Sequence, residues 1–183
     1  MKTYIYFLVC ISLLLCSCAS SKSKASPQDI ENLKELVESQ DFRIESDWAF
    51  PQTTFAVQQV MNTLLLPQNG SANRINLIGN SNFLEIKGDS VSSYLPYFGE
   101  RQMNVQYGGK DSAIQLKGLM ENFSVEEIKG SNYLIKFDAK SSNESFQVYL
   151  TLTPGLSSNL IVNSSSRRTI RYSGQVEPSE EEL

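Results

Sequence analysis

From Phe42 onward, apolar side chains recur at every second position, in short runs separated by turn-forming residues. Tyr133, Ile135 and Phe137 alternate with Leu134, Lys136 and Asp138, and Phe146, Val148, Leu150 and Leu152 alternate with Gln147, Tyr149 and Thr151. A strand sends successive side chains to opposite faces, so this period predicts antiparallel strands with one face buried. Similar runs lie at 42–47, 74–78, 83–87, 103–107, 113–117, 123–128, 159–163 and 168–174. Between them fall Asn80-Ser81-Asn82, Gly88-Asp89, Gly108-Gly109, Gly130-Ser131, Ser141-Ser142-Asn143 and Pro154-Gly155. These residue types either reach positive φ cheaply or bond their own backbone at a reversal. Many short strands joined by such turns predict a mainly β fold, an antiparallel β-sandwich or a partly open β-barrel.

Two segments break the period. Ser26-Pro27-Gln28-Asp29 has the form of a helix start, with a hydroxyl N-cap, proline at the first helical position and an acid near the unpaired amides. Ile30, Leu33, Leu36 and Val37 then make one apolar stripe, which predicts an N-terminal α-helix over 27–40. Val57, Val60, Met61, Leu64 and Leu65 also fall at helical spacing, predicting a short helix within 55–66 that ends before Pro67. The β-rich domain is expected to span 27–176, and the acidic stretch 177–183 to be a disordered tail.

The first 17 residues have the three zones of a secretory signal peptide: Lys2, an apolar stretch from Tyr4 to Leu15, and small residues before a cut. The stretch is too short to span a bilayer, which takes about 20 apolar residues. Leu15-Cys16-Ser17-Cys18 resembles the bacterial lipobox, in which the cysteine after the cleavage point receives a lipid. Cys18 is the better acceptor, because Cys16 would follow the bulky Leu15; a secreted protein cut nearby is the competing reading. Residues 18–26 would then be a lipidated cysteine and flexible tether, and the membrane a partner through the N-terminal lipid. Neither an aspartate beside Cys18 nor an acidic run after it is present, so the expected place is the outer membrane, facing the periplasm.

Charge and composition remove whole classes of function. Sixteen Lys and Arg stand against 20 Asp and Glu, a net charge of −4 that becomes −5 once the signal and Lys2 are gone. A chain this acidic is a poor nucleic-acid binder, since phosphate contacts need clustered cations. There is no histidine, and the three cysteines all lie at or before position 18. Ser-His-Asp hydrolysis, Cys-His chemistry and zinc held by His or Cys are therefore excluded from the domain. No Asp-x-Asp-x-Asp-Gly calcium loop occurs, and neither a metal nor a cofactor is expected.

What remains for catalysis is a pair of carboxylates flanking a glycosidic bond. Glu85, Asp89, Glu100, Asp111, Glu126 and Glu127 are the candidates, yet each lies where a solvated strand face or a turn would carry an acid anyway. No catalytic residue is assigned, and the domain is expected not to be an enzyme. The densest aromatic stretch is Tyr94-Leu95-Pro96-Tyr97-Phe98-Gly99-Glu100-Arg101. Tyr94, Tyr97 and Phe98 could stack on a sugar ring or apolar ligand, with Glu100 or Arg101 orienting it. Alternatively the rings plug one end of the fold while Pro96 and Gly99 shape the connection, which is the favoured reading. Trp48 lacks the glycine of a lipocalin Gly-x-Trp signature and is expected to pack in the core.

Asp89-Ser90-Val91 and Asp111-Ser112-Ala113 resemble the Asp-Ser/Thr-aliphatic motif of bacterial O-glycosylation, which makes Ser90 and Ser112 candidate modification sites, although Asp-Ser beside glycine is also ordinary turn chemistry.

Asp47-Trp48-Ala49-Phe50-Pro51, Asn76-Leu77-Ile78, the block from Gly88 to Arg101, and Ser165-Ser166-Arg167-Arg168-Thr169-Ile170-Arg171-Tyr172-Ser173-Gly174 together resemble the DUF4251 family of Bacteroidota lipoproteins, over about residues 30–176. The Leu-Pro-Tyr-Phe-Gly core of the block is the specific part. The resemblance implies a cell-envelope domain of unassigned function and carries over no catalytic residue. The expectation is a lipid-anchored binding or scaffold module whose partner is an envelope protein or glycan. The alternatives are a carrier with an apolar ligand inside its β interior and a two-carboxylate carbohydrate-processing enzyme.

Overall fold

The computed structural model describes residues 25–52, 54, 70–71, 74–100, 113–141 and 144–179. The signal peptide, Cys18, the helix expected within 55–66, the strand expected at 103–107, Arg101, Asp111 and Ser112 lie outside the described residues. Helix α1 (Pro27–Ser39) begins as its sequence predicts. The Ser26 hydroxyl accepts from the Asp29 amide and the Asp29 carboxylate accepts from the Ser26 amide, each at 3.1 Å, closing a capping box. Gln40 ends the helix in the left-handed region, at φ 49°.

Eleven strands follow among the described residues: β1 (Asp41–Pro51), β2 (Gly70–Ser71), β3 (Arg74–Asn76), β4 (Phe83–Lys87), β5 (Ser90–Leu95), β6 (Ile114–Leu119), β7 (Glu121–Ile128), β8 (Asn132–Lys140), β9 (Ser145–Leu152), β10 (Ser157–Ser164) and β11 (Ile170–Pro178). They form one antiparallel sheet in the order β6-β5-β4-β1-β11-β10-β9-β8-β7, with β3 also on β1 and β2 on β3. The two strands at the ends of this path, β6 and β7, are consecutive in the chain and separated only by Met120. One bent segment thus pairs with β5 through its first half and with β8 through its second. The sheet is rolled into a nearly closed barrel of eight staves, and the choice left open by the strand pattern falls to the barrel. The bend lies where Asn122 takes a φ of 53° and the β7–β8 register shifts between Glu121 and Ser124.

Two boundaries differ from the sequence reading. Ser90–Leu95 is a strand, its period hidden by serines: Val91, Ser93 and Leu95 face inward, and the Ser93 hydroxyl is satisfied by donating to the Ile114 carbonyl and accepting from the Leu116 amide. At the other end of the chain Glu177 and Pro178 belong to β11 and pair with Arg43 and Phe42, so β11 runs two residues past the expected domain boundary at 176. A strand continues there because β1 starts early enough to pair with it.

Inside, the inward-facing residues form a single buried cluster. Eight strands enclose a space that side chains are just large enough to fill, and Phe42, Leu84, Ile135, Phe146, Leu150 and Tyr172 are among those filling it. Leu33 and Val37 bring the apolar stripe of α1 into the same cluster. The helix precedes the start of β1, and Tyr133 near the start of β8 packs partly buried against the same cluster.

Candidate functional site

The block singled out in the sequence lies beyond the other end of β1 from the helix. Its three rings do not share a face. Tyr94, on β5, is half-buried beside Phe83 across the β4–β5 pair and contributes to an open depression of about 850 Å³ with Phe83, Gln115 and Lys117. Tyr97 points inward and is 4% exposed, and Phe98 is partly buried against the core. The Tyr97 hydroxyl donates toward the carbonyls of Glu100 at 2.8 Å and Arg168 at 3.0 Å. From below, the Tyr172 hydroxyl reaches the Pro96 carbonyl at 2.8 Å. Burial pushes the Tyr172 phenol far above its ordinary range, with Tyr97 adding to the shift and Arg167 opposing it.

Around these rings the charges are paired. Glu100 accepts from both the hydroxyl and the amide of Thr54, at 2.7 and 2.9 Å, and from Arg168 Nε at 3.0 Å. The hydroxyl bond from Thr54 and then its amide hold the Glu100 carboxyl below its usual value of 4.5; burial opposes them and Arg168 assists. Arg167 lies 5.1 Å from the centroid of the Tyr97 ring and donates from Nε to both oxygens of Glu144 at 3.0 Å. Those two side chains are 8% and 9% exposed, and Glu144 also accepts from the Ser164 hydroxyl. Gly99 sits where a Cβ would fall 2.4 Å from the Tyr97 oxygen. This arrangement ties the ends of β1, β5, β9, β10 and β11 together.

The other candidates are spread out. Glu85 faces outward on β4 near Lys87 and Arg43, at 3.6 and 4.0 Å. Asp89 is in the β4–β5 turn, and Glu126 and Glu127 are on β7, the former 3.5 Å from Lys136. They lie on different parts of the sheet, and among the described residues no group of three Asp or Glu is placed to hold a metal ion. Ser90 opens β5, half-buried, with its hydroxyl on Asp89 at 3.1 Å. A smaller depression of about 380 Å³ lies over the ends of β8, β9 and β10, lined by Asp138, Lys140, Gln147 and Asn163 among others. Its charged groups already satisfy neighbours, Lys140 with Glu121 at 2.7 Å and Asp138 with Asn122 at 2.7 Å.

One feature escaped the strand pattern. Trp48 is not in the core. A bulge in β1 shifts its register against β11 between Ser46 and Trp48, after which Ala49 turns inward while Trp48 and Phe50 face out. The Asn82 side chain holds the bulge, accepting from the Ser46 amide and donating to the Ser46 carbonyl, both at 2.9 Å. Gly174 is opposite, where an added Cβ would fall 1.9 Å from the Glu45 carbonyl oxygen, so only glycine lets the strands approach. The guanidinium of Arg74 lies 3.7 Å from the Trp48 ring centroid and that of Arg171 4.5 Å from the Phe50 centroid. The signal for this patch was the run Asp47-Trp48-Ala49-Phe50, whose alternation a bulge inverts without changing its appearance.

A helix-capped, nearly closed antiparallel barrel with a stapled end defines the structural class. The chain belongs to the DUF4251 family, a domain of unknown function whose model matches residues 24–176, slightly more than the resemblance suggested. Its fold is similar to the crystal structure of a DUF4251 family protein from Bacteroides eggerthii, with a TM-score of 0.55 at 16% identity over 84% of this chain and 90% of that one. No curated protein matches the chain.

Proposed function

We propose that this protein is a lipid-anchored module of the bacterial cell envelope, held at the outer membrane through Cys18 and facing the periplasm, that binds or scaffolds an envelope component through the outside of its barrel. The observation that carries the reading is the filled interior: the inward side chains form one buried cluster, and the block expected either to bind or to plug is occupied by its own hydrogen bonds. A carrier needs open space between its β layers, and a glycosidase needs two carboxylates converging within about 5–10 Å. The inward side chains form one buried cluster, and the candidate acids Glu85, Asp89, Glu126 and Glu127 lie on different parts of the sheet. Ser90, half-buried at the start of β5 beside Asp89, is the site at which an O-linked glycan would be attached.

Membrane attachment is tested by detergent partitioning and N-terminal mass spectrometry of the wild type and Cys18→Ala. The expected result is an acylated Cys18 in the wild type and loss of partitioning in the variant; an unmodified N-terminus elsewhere overturns the anchor. Sedimentation with purified envelope polymer tests binding, and proteolysis of intact cells tests sidedness, with rapid cleavage placing the domain outside.

A further inference from the structure

We infer that the outer face of β3, β1 and β11 is a binding site for a carboxylate-bearing glycan, read by the paired guanidinium groups of Arg74 and Arg171; this rests on the binding-module reading and gives it a ligand class. Arg171 stands directly across from Phe50 in the β1–β11 register. Extending the β1–β3 register of Trp48 with Asn76 and Ala49 with Ile75 by one step puts Arg74 opposite Phe50 from the other side. Two strand spacings separate the arginine backbones, roughly 10 Å. The rings of Trp48 and Phe50 lie between them.

The stacking decides what kind of ligand fits. With a guanidinium 3.7 Å from the Trp48 centroid and another 4.5 Å from that of Phe50, those ring faces are already covered. The rings therefore orient the cations, and each guanidinium keeps its N–H edge for a planar bidentate acceptor. Arg74 and Arg171 are both exposed, and no ion pair engages either among the described residues, although Arg43, Arg167 and Arg168 each have a carboxylate. Two unneutralised, pre-oriented cations in a domain with a net negative charge are complementary to two spaced anions. Ser173, two residues along β11 from Arg171 and opposite Trp48, and its β10 partner Asn159 add neutral hydrogen-bonding groups beside the arginines. Spaced carboxylates interleaved with hydroxyls are the chemistry of an acidic polysaccharide, and side chains set out across the adjacent strands β3, β1 and β11 suit an extended chain.

The test is titration calorimetry of the purified full-length protein with a hexamer of galacturonic acid. A galactose hexamer, polyglutamate and vesicles containing anionic phospholipid are compared with it. The uronate hexamer is expected to bind, more weakly as salt is raised. Arg74→Gln and Arg171→Gln are each expected to weaken it about tenfold, with Arg→Lys variants recovering only part because they lose the bidentate fork. Equal binding of the galactose hexamer, or unchanged affinity in both Gln variants, overturns the proposal. Preference for polyglutamate or vesicles through the same two arginines also overturns the glycan assignment while leaving the outside-binding module intact. If the uronate hexamer fails and envelope polymer still sediments with the protein, only this inference falls; if neither binds, the module reading falls with it.

Discussion

Arginine is set against an aromatic ring in two places near the same end of the β1–β11 pair, to opposite effect. At the stapled end, Arg167 near Tyr97 is paired with Glu144, and both are almost fully buried. On the outer face, Arg74 over Trp48 and Arg171 over Phe50 are exposed. The same contact therefore serves closure in one place and presentation in the other. What separates them is the carboxylate: a buried cation needs a counter-charge to offset its desolvation, whereas a solvated one does not. Mutations should accordingly divide into those that unfold the barrel and those that leave it folded with an altered surface.

The largest effect is expected where a buried charge loses its partner. Glu144→Ala removes both acceptors of Arg167 Nε and the acceptor of the Ser164 hydroxyl, and should destabilise the domain by about 3–5 kcal/mol in chemical denaturation. A loss below ~1 kcal/mol would mean that the stapled end is no more committed to stability than the outer patch, and the contrast would collapse. Tyr97 separates ring from hydroxyl. Tyr97→Ala should cost about 3–5 kcal/mol through the lost buried ring, and Tyr97→Phe about 1–3 kcal/mol through the carbonyls of Glu100 and Arg168 left short of a donor. Equal melting curves for Tyr97→Phe and wild type would remove the hydroxyl from the account.

Acid sharpens the contrast further. Because the Glu100 carboxyl is held below 4.5 in the folded chain, chiefly by Thr54, the ionised form favours folding. Its contribution is present above the ordinary carboxylate pKa and is lost as pH falls through the depressed value. Denaturation of wild type and Glu100→Gln should differ near neutrality and converge in acid, below the usual value of 4.5. A difference that grows on acidification would reverse the sign and contradict the bonding described.

How much of this was legible follows from what each feature depends on. Helix α1 is local, because Ser26, Pro27 and Asp29 specify its start within four residues, and the structure forms the capping box they spell out. The strands from 132 to 176 also follow a local period. Closure does not: nothing in the runs 113–117 and 123–128 says that one bent segment joins both edges of the sheet, because that depends on pairing with β5 and β8. The bulge is likewise nonlocal, set by Asn82 and Gly174 from distant strands, and it turned Trp48 from an expected core residue into a surface one. Tyr94–Gly99 was visible as a block, but only its partners at Arg168 and Tyr172 explain why its rings part company.

The smallest expected effect on stability is at the outer patch, and it makes the comparison most exacting. Arg74→Gln and Arg171→Gln each remove an exposed guanidinium from a ring without uncovering a buried polar group. An exposed cation–π contact contributes roughly 0.5–1 kcal/mol, and glutamine keeps part of the packing over the ring. Each variant should therefore melt within about 0.5 kcal/mol of wild type, in the range of ordinary surface substitutions. Arg167→Gln should lose several times as much, because it leaves Glu144 buried without its guanidinium. If the outer variants prove as costly as Arg167→Gln, the guanidinium groups over Trp48 and Phe50 are part of what holds β3 and β11 to β1. The face they occupy would then be a structural seam with no cation to spare for a ligand.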